Sequence, residues 1–224
     1  MDEPVMWTVL AVVVVYLLGA IPFALIVARL LGIKDIRKTG SGNPGATNVW
    51  RAAGPVAAFL VFAGDVVKGV LSIMIASVFL AYLDVSLLTP DVFLVVIGTA
   101  AVIGHVFPVY LGFKGGKGVS TALGVTIMLM PIPSVIALVV FVVVVVLSRF
   151  VSLGSMLGVI TLFLVVLAQY YLLPDDIALV YVYLTLAMTI LILFTHRKNI
   201  IRLIGRTENR VAFSSQIGNE GHRD

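Results

Sequence analysis

Residues 119–147, VSTALGVTIMLMPIPSVIALVVFVVVVVL, carry no charge along their whole length and can be read in two ways. At about 1.5 Å per residue, one helix of this stretch would be ~43 Å long. That is too much for an upright crossing of a ~30 Å hydrocarbon layer and too little for two full crossings. Pro131 and Pro133 offer a turn between two short helices instead. The two readings put everything after Leu147 on opposite sides of a bilayer, so charge arbitrates: cytoplasmic loops carry the excess of Lys and Arg. With a turn at the prolines, Arg29, Lys34, Arg37, Lys38, Arg51, Lys114, Lys117, Arg149, Arg197, Lys198, Arg202, Arg206 and Arg210 share one side. Asp2, Glu3, Asp84, Asp91, Asp175 and Asp176 share the other. As one helix, the stretch would throw the C-terminal basic cluster across. The sequence therefore predicts an all-α polytopic membrane protein of seven transmembrane helices, two of them short, with the N-terminus outside and the C-terminus cytoplasmic.

Composition agrees. The 224 residues are 61% hydrophobic and 12% charged, where a soluble domain is roughly half apolar and about one quarter charged. This excludes a disordered chain, a collagen-like chain and a disulfide scaffold. With no cysteine in the chain, thiol nucleophiles, thiolate metal sites and redox pairs are excluded as well. The first apolar run continues to about Leu31 and is led by Asp2 and Glu3 rather than by basic residues. It reads as a retained span with a kink at Pro22, not as a cleaved signal. Further runs cover about 56–83, 91–108, 156–173 and 177–195. Residues 1–213 are expected to form one integral-membrane domain and 214–224 a disordered polar tail; no internal repeat is visible.

Three polar stretches fall on the basic side. In TGSGNPGATNVWRAAG, residues 39–54, Gly40, Gly42 and Gly45 permit close backbone approach, Ser41, Asn43, Thr47 and Asn48 supply hydroxyl and amide groups, and Arg51 adds a fixed cation. Backbone N–H groups in such a loop can form an anion-binding concavity. A plain helix-to-helix turn would need fewer residues of this kind. In GHVFPVYLGFKGGKGVST, residues 104–121, Gly112, Gly115, Gly116 and Gly118 surround Lys114 and Lys117 just before a helix start, where free N–H groups favour phosphate. The pattern is not a Walker A loop, because Gly118 follows Lys117 and Leu111 stands where the first glycine belongs. The alternative is a pair of positive-inside anchors. His105, taken alone, reads as a structural residue at a membrane boundary. In THRKNIIRLIGRTENR, residues 195–210, a continuing helix would bring Asn199, Arg202 and Arg206 within ~60° of one another, with His196 toward one edge. Taken alone, this stretch reads as an interfacial anchor. Asp65 and Lys68, inside the second span and three residues apart, read as a structural ion pair bracing the site. Ser152 and Ser155 follow Arg149 and carry no role on the residues alone. No histidine has an aspartate five residues on: position 110 is Tyr110, position 201 is Ile201, and His222 is too close to the end.

GSGNPGATNVWRAAG, GDVVKG, GHVFPVYLGFKGGKGVSTALG and HRKNIIRLIGRTE, in this order and separation, resemble the PlsY family of bacterial integral-membrane acyl-phosphate:glycerol-3-phosphate acyltransferases. The resemblance runs from the first span to about Glu208. It implies transfer of an acyl group from acyl phosphate to the sn-1 hydroxyl of glycerol 3-phosphate, giving lysophosphatidic acid and phosphate, with no covalent enzyme intermediate. It also implies a multi-pass protein of the bacterial inner membrane with its site at the cytoplasmic face. Its catalytic set falls on Ser41, Arg51, Lys117, His196 and Asn199. Its substrate-binding set falls on Gly42, Asn43, Gly45, Thr47, Asn48, His105, Lys114, Gly115, Gly116, Gly118, Ser155 and Glu208. The expected partners are glycerol 3-phosphate, acyl phosphate and membrane lipid; no cofactor, metal or nucleic acid is expected, and the chain is expected to be a monomer. A transporter of a phosphorylated metabolite is the alternative.

Overall fold

The computed structural model describes residues 2–173 and 177–211. Asp175, Asp176, His222 and the 214–224 tail lie outside the described residues. Those described form helices α1 (Glu3–Gly19), α2 (Phe23–Leu30), α3 (Ala46–Tyr82), α4 (Pro90–Val106), α5 (Val119–Leu129), α6 (Pro131–Ser148), α7 (Val151–Leu172), α8 (Leu179–Thr195) and α9 (Arg197–Ile204), with no strand among them. Backbone groups in a bilayer must be satisfied within the chain, and helices do this locally.

Among the described residues, five segments are long and apolar enough to cross a membrane: Glu3–Leu30, Ala46–Tyr82, Pro90–Leu111, Pro131–Ser148 and Val151–Leu172. Helix α8 with α9, bent by 60° at their junction, makes a sixth if counted together. Helix α5, with 11 residues, falls short.

The charge-free stretch therefore divides as expected at the prolines, but unequally. One short helix was expected on each side; only α5 is short, and α6 runs for 18 residues. Pro131 and Pro133 occupy the first turn of α6 rather than the link before it. A proline there loses no helix hydrogen bond, since the first N–H groups have no partner in any case. The kink expected at Pro22 is a full break between α1 and α2.

Two further expectations change. The second half of the 39–54 stretch is helical: α3 begins at Ala46 and breaks at Gly54, whose φ of 85° precedes Pro55. The third stretch is not one continuing helix. It bends after Thr195, and Arg206 lies beyond α9 with φ 56°. The predicted shared face of Asn199, Arg202 and Arg206 therefore does not form.

Packing brings the polar ends together. Helices α3 and α5 lie backbone to backbone where Gly69 faces Thr121 and Gly124 faces Val66, so closely that a Cβ on either glycine would meet a carbonyl oxygen. Small residues allow this approach in membrane bundles. A main core joins α1, α3, α4, α5, α7 and α8, and a smaller one, built on Leu25, Ile36, Val49 and Val61, supports the loop after α2. At one end of the bundle, Arg51 of α3 reaches the Asn209 carbonyl, Lys117 before α5 reaches Asn199, Ser152 of α7 reaches Glu208, and Val211 bonds the Arg149 carbonyl after α6. At the other end Tyr181 of α8 bonds Asp91 of α4. The bundle is thus basic at one end and acidic at the other.

Candidate functional site

The first loop is shaped by one buried amide. Asn48, 2% exposed in the first turn of α3, donates through Nδ2 to the carbonyls of Ile36 (3.0 Å) and Thr39 (2.9 Å). Its Oδ1 accepts from the backbone N–H of Ser41 (3.0 Å) and from Ser41 Oγ (3.2 Å). Two donors and two lone pairs are all an amide has, so Asn48 holds Ser41 in place rather than reaching outward. Gly40 and Gly42 flank Ser41 with φ of 56° and 73°, the left-handed backbone the turn requires. Gly45 caps α3, and Thr47 lies in its first turn. One turn on from Asn48, Arg51 donates to the Asn209 carbonyl at 3.3 Å, joining this loop to the C-terminal strap.

The second loop folds back onto the end of α4. Gly115 N–H donates to the Val106 carbonyl and Gly116 N–H to the His105 carbonyl, both at 3.1 Å. These two amides are therefore spent within the fold, while α5 opens at Gly118 (φ 85°) with the N–H groups of its own first turn free of helix partners. Lys117 Nζ donates to Asn199 Oδ1 at 2.6 Å, and its carbonyl accepts from Thr195 Oγ1 at 3.2 Å. Burial, together with the nearby Arg202 and Arg51, pushes the Lys117 pKa down to about 8, while Glu208 pulls the other way. Lys114 is exposed on the outside of the loop.

The third group closes the site. His196, 2% exposed, directs Nδ1 at the Ile192 carbonyl (2.8 Å), so Nδ1 is the donor and a neutral ring leaves Nε2 as an acceptor. Glu208 Oε1 accepts from Asn199 Nδ2 (2.6 Å) and Ser152 Oγ (2.9 Å), and its Oε2 accepts from Arg202 Nε (2.6 Å). Burial favours the neutral Glu208 carboxyl, but these three donors outweigh it and hold the pKa below the usual carboxylate value. A continuous polar chain, Arg202–Glu208–Asn199–Lys117, results. Arg51, Lys117 and Arg202 surround a single carboxylate, and the surplus of positive charge suits an anion.

Ser152 and Arg202 stand outside the set that the resemblance implies, yet both bond Glu208. That set holds Ser155, whose hydroxyl bonds back to the Val151 carbonyl at 2.9 Å. Ser155 instead lines an open apolar cavity between α3, α5, α6, α7 and α8. The cavity runs inward past Val119, Ile192 and Leu162. Only the bend after Thr195, which brings the strap back over α7, distinguishes Ser152 from Ser155.

An apolar bundle whose one polar end carries excess positive charge beside a lipophilic cavity defines an integral-membrane protein able to hold an anion and an apolar chain together. Comparison with known proteins carries this further. The family model "Glycerol-3-phosphate acyltransferase" matches residues 9–206. The chain is 44% identical over 203 residues to the glycerol-3-phosphate acyltransferase of Endomicrobium trichonymphae, covering 91% of this chain and 95% of that one. It is 39% identical over 206 residues to that of Laribacter hongkongensis, covering 92% and 97%. Among solved structures it is similar to PlsY, an integral membrane glycerol 3-phosphate acyltransferase, in its glycerol 3-phosphate form, with a TM-score of 0.79, 36% identity and coverage of 92% and 96%. The form of that protein with lysophosphatidic acid gives a TM-score of 0.77. The chain belongs to the glycerol-3-phosphate acyltransferase (PlsY) family of integral-membrane enzymes.

Proposed function

We propose that the protein transfers an acyl group from acyl phosphate to the sn-1 hydroxyl of glycerol 3-phosphate, at the cytoplasmic face of a bacterial inner membrane. The observation that carries this reading is the junction of a cationic cluster, Arg51, Lys117 and Arg202 around Glu208, with an apolar cavity. Phosphates belong to the first and an acyl chain to the second. Family membership in an enzyme class sets the transport alternative aside.

Acyl phosphate is a mixed anhydride and is already activated, so no covalent enzyme intermediate is required. The sn-1 oxygen attacks the acyl carbonyl carbon, a C–O ester bond forms, the bond from that carbon to the phosphate oxygen breaks, and phosphate leaves. The hydroxyl proton passes to a substrate phosphate oxygen. Ser41, Arg51, Lys117, His196 and Asn199 hold and align the phosphates, and Arg51 and Lys117 offset charge on the departing one. Alignment alone can lower the barrier by ~7–11 kcal/mol, and a single preorganised donor adds ~3–4 kcal/mol. A single chain carries the whole set.

Purified protein given palmitoyl phosphate and glycerol 3-phosphate should release phosphate and lysophosphatidic acid one for one. No product from folded protein that binds glycerol 3-phosphate overturns the reading. The proton acceptor is tested separately, with rate–pH profiles of His196→Ala and His105→Ala. A loss of about 10²–10⁴ together with the acidic limb, at unchanged binding, would make that histidine the base in place of phosphate.

A further inference from the structure

Beneath the second loop lies a buried polar set that no step above uses. Asp65, Lys68 and His105 are 3%, 2% and 8% exposed. Lys68 Nζ lies 2.8 Å from Asp65 Oδ1 and donates at 3.1 Å to the Ile21 carbonyl, which lies in the break between α1 and α2 and also accepts the Phe23 N–H at 3.2 Å. Asp65 Oδ1 lies 3.4 Å from His105 Nδ1, which lies 3.2 Å from Thr121 Oγ1 in the first turn of α5. One chain of contacts thus links the α1–α2 break, α3, α4 and α5. Desolvation makes a buried ion pair a poor source of stability compared with apolar packing, so its worth is sought in what it positions.

The other edge of the imidazole answers that. The Gly116 backbone lies against His105 Nε2 so closely that a Cβ at 116 would run into the ring. Gly115 and Gly116 are also bonded to the last carbonyls of α4. The loop therefore rests on the ring, and Lys117 is the next residue. Moving the ring moves the base of Lys117 and, through Thr121, the first turn of α5.

We infer that His105 is a positioning residue: anchored by Asp65 and Lys68 and pressed against Gly116, it sets the height of Lys117 and the α5 N-terminus for the phosphate they receive. The inference rests on the acyltransferase reading above. A ring held in this way acts through its shape and its Nδ1 contacts and takes no proton from substrate.

The test compares His105→Ala with His105→Asn, whose Nδ2 falls near the position of Nδ1, in full-length protein in detergent. KM for each substrate, kcat, the pH profile and thermal unfolding are measured. His105→Ala should raise the KM of a phosphate substrate about tenfold or more, since a small displacement of a positioned group has effects of this order. His105→Asn, which keeps the Nδ1 contacts but lacks the ring edge against Gly116, should recover part of that loss and keep both pH limbs. Equal impairment of the two variants with loss of the acidic limb overturns the inference in favour of a base. Wild-type KM values in both overturn it in favour of no role. Should His105→Ala not fold, Thr121→Val cuts the same link at its α5 end and should raise KM about threefold; an unchanged KM again overturns the inference. Calorimetric titration with glycerol 3-phosphate separates the two readings. Weaker binding in His105→Ala, recovered in part in His105→Asn, supports positioning even if wild-type protein makes no product.

Discussion

The two glycine loops reach similar ends by different routes. The Ser41 loop is built almost wholly from within itself: Asn48 ties together Ile36, Thr39 and Ser41, all within twelve residues of chain. The Lys117 loop is built from outside: its amides bond to α4, its lysine to Asn199 after α8, its carbonyl to Thr195, and its floor is His105. A local device keeps its geometry when distant helices shift, whereas an assembled one registers the packing of the whole bundle. The first loop meets the C-terminal segment through Arg51 on the Asn209 carbonyl, whereas the second depends on that end of the chain for the position of its lysine.

This contrast can be broken at either loop. Lys117→Met removes the cation that the proposed reaction sets against phosphate and leaves Asn199 Oδ1 without its donor; kcat/KM should fall by about 10²–10³, the usual result of deleting one preorganised donor. Asn48→Ala acts through shape. It leaves the N–H of Ser41 without its acceptor, at about 1–3 kcal/mol where such a group is kept from water, while the carbonyls of Ile36 and Thr39 each lose one donor and keep the N–H groups of Thr39 and Gly42. Ser41 then loses its position, and kcat/KM should drop about 10²-fold. If the first loop is self-contained, Asn48→Ala leaves the alkaline behaviour of Lys117 unchanged. A shifted pH limb in that variant would show the loops to be coupled.

The same contrast explains what was legible in the sequence. Gly40, Ser41, Gly42 and Asn48 could be read as a shaped loop because their partners lie nearby in the chain. The division of residues 119–147 was legible from charge, but the unequal lengths of α5 and α6 were not: a proline at a helix start and a proline in a turn look alike until the helix is seen to begin at Pro131. The 60° bend after Thr195 has no proline to announce it. It takes Arg206 off the expected face and brings Glu208 back onto Ser152, contacts fixed only by tertiary packing. Asp65 and Lys68 were recognisable as a pair by their spacing, but their link to His105 depends on how α3 and α4 pack.

The smallest expected effect is the most informative about the assembled loop. In the proposed reaction the cationic form of Lys117 is the one that attracts phosphate, and its pKa is lowered to about 8. In free enzyme, kcat/KM should therefore be flat below about pH 7, half-lost near pH 8 and falling above it, while Lys117→Arg should carry activity beyond that limb. Stability moves the other way. Between about 8 and the unperturbed lysine value near 10.4, the unfolded chain holds more protons at this residue, so this group's contribution to stability rises with pH. Glu208 raises the Lys117 pKa, against burial, Arg202 and Arg51. Glu208→Gln keeps the size of the side chain and removes the charge. It should cost only about three- to tenfold in kcat/KM at pH 7, as loss of a supporting contact behind a functional group does at its mild end. Its signature is the direction of the limb, which should move below pH 8 because Lys117 loses its nearest compensating charge. A limb that stays at pH 8 would mean that the strap braces Asn199 sterically and does not tune the lysine.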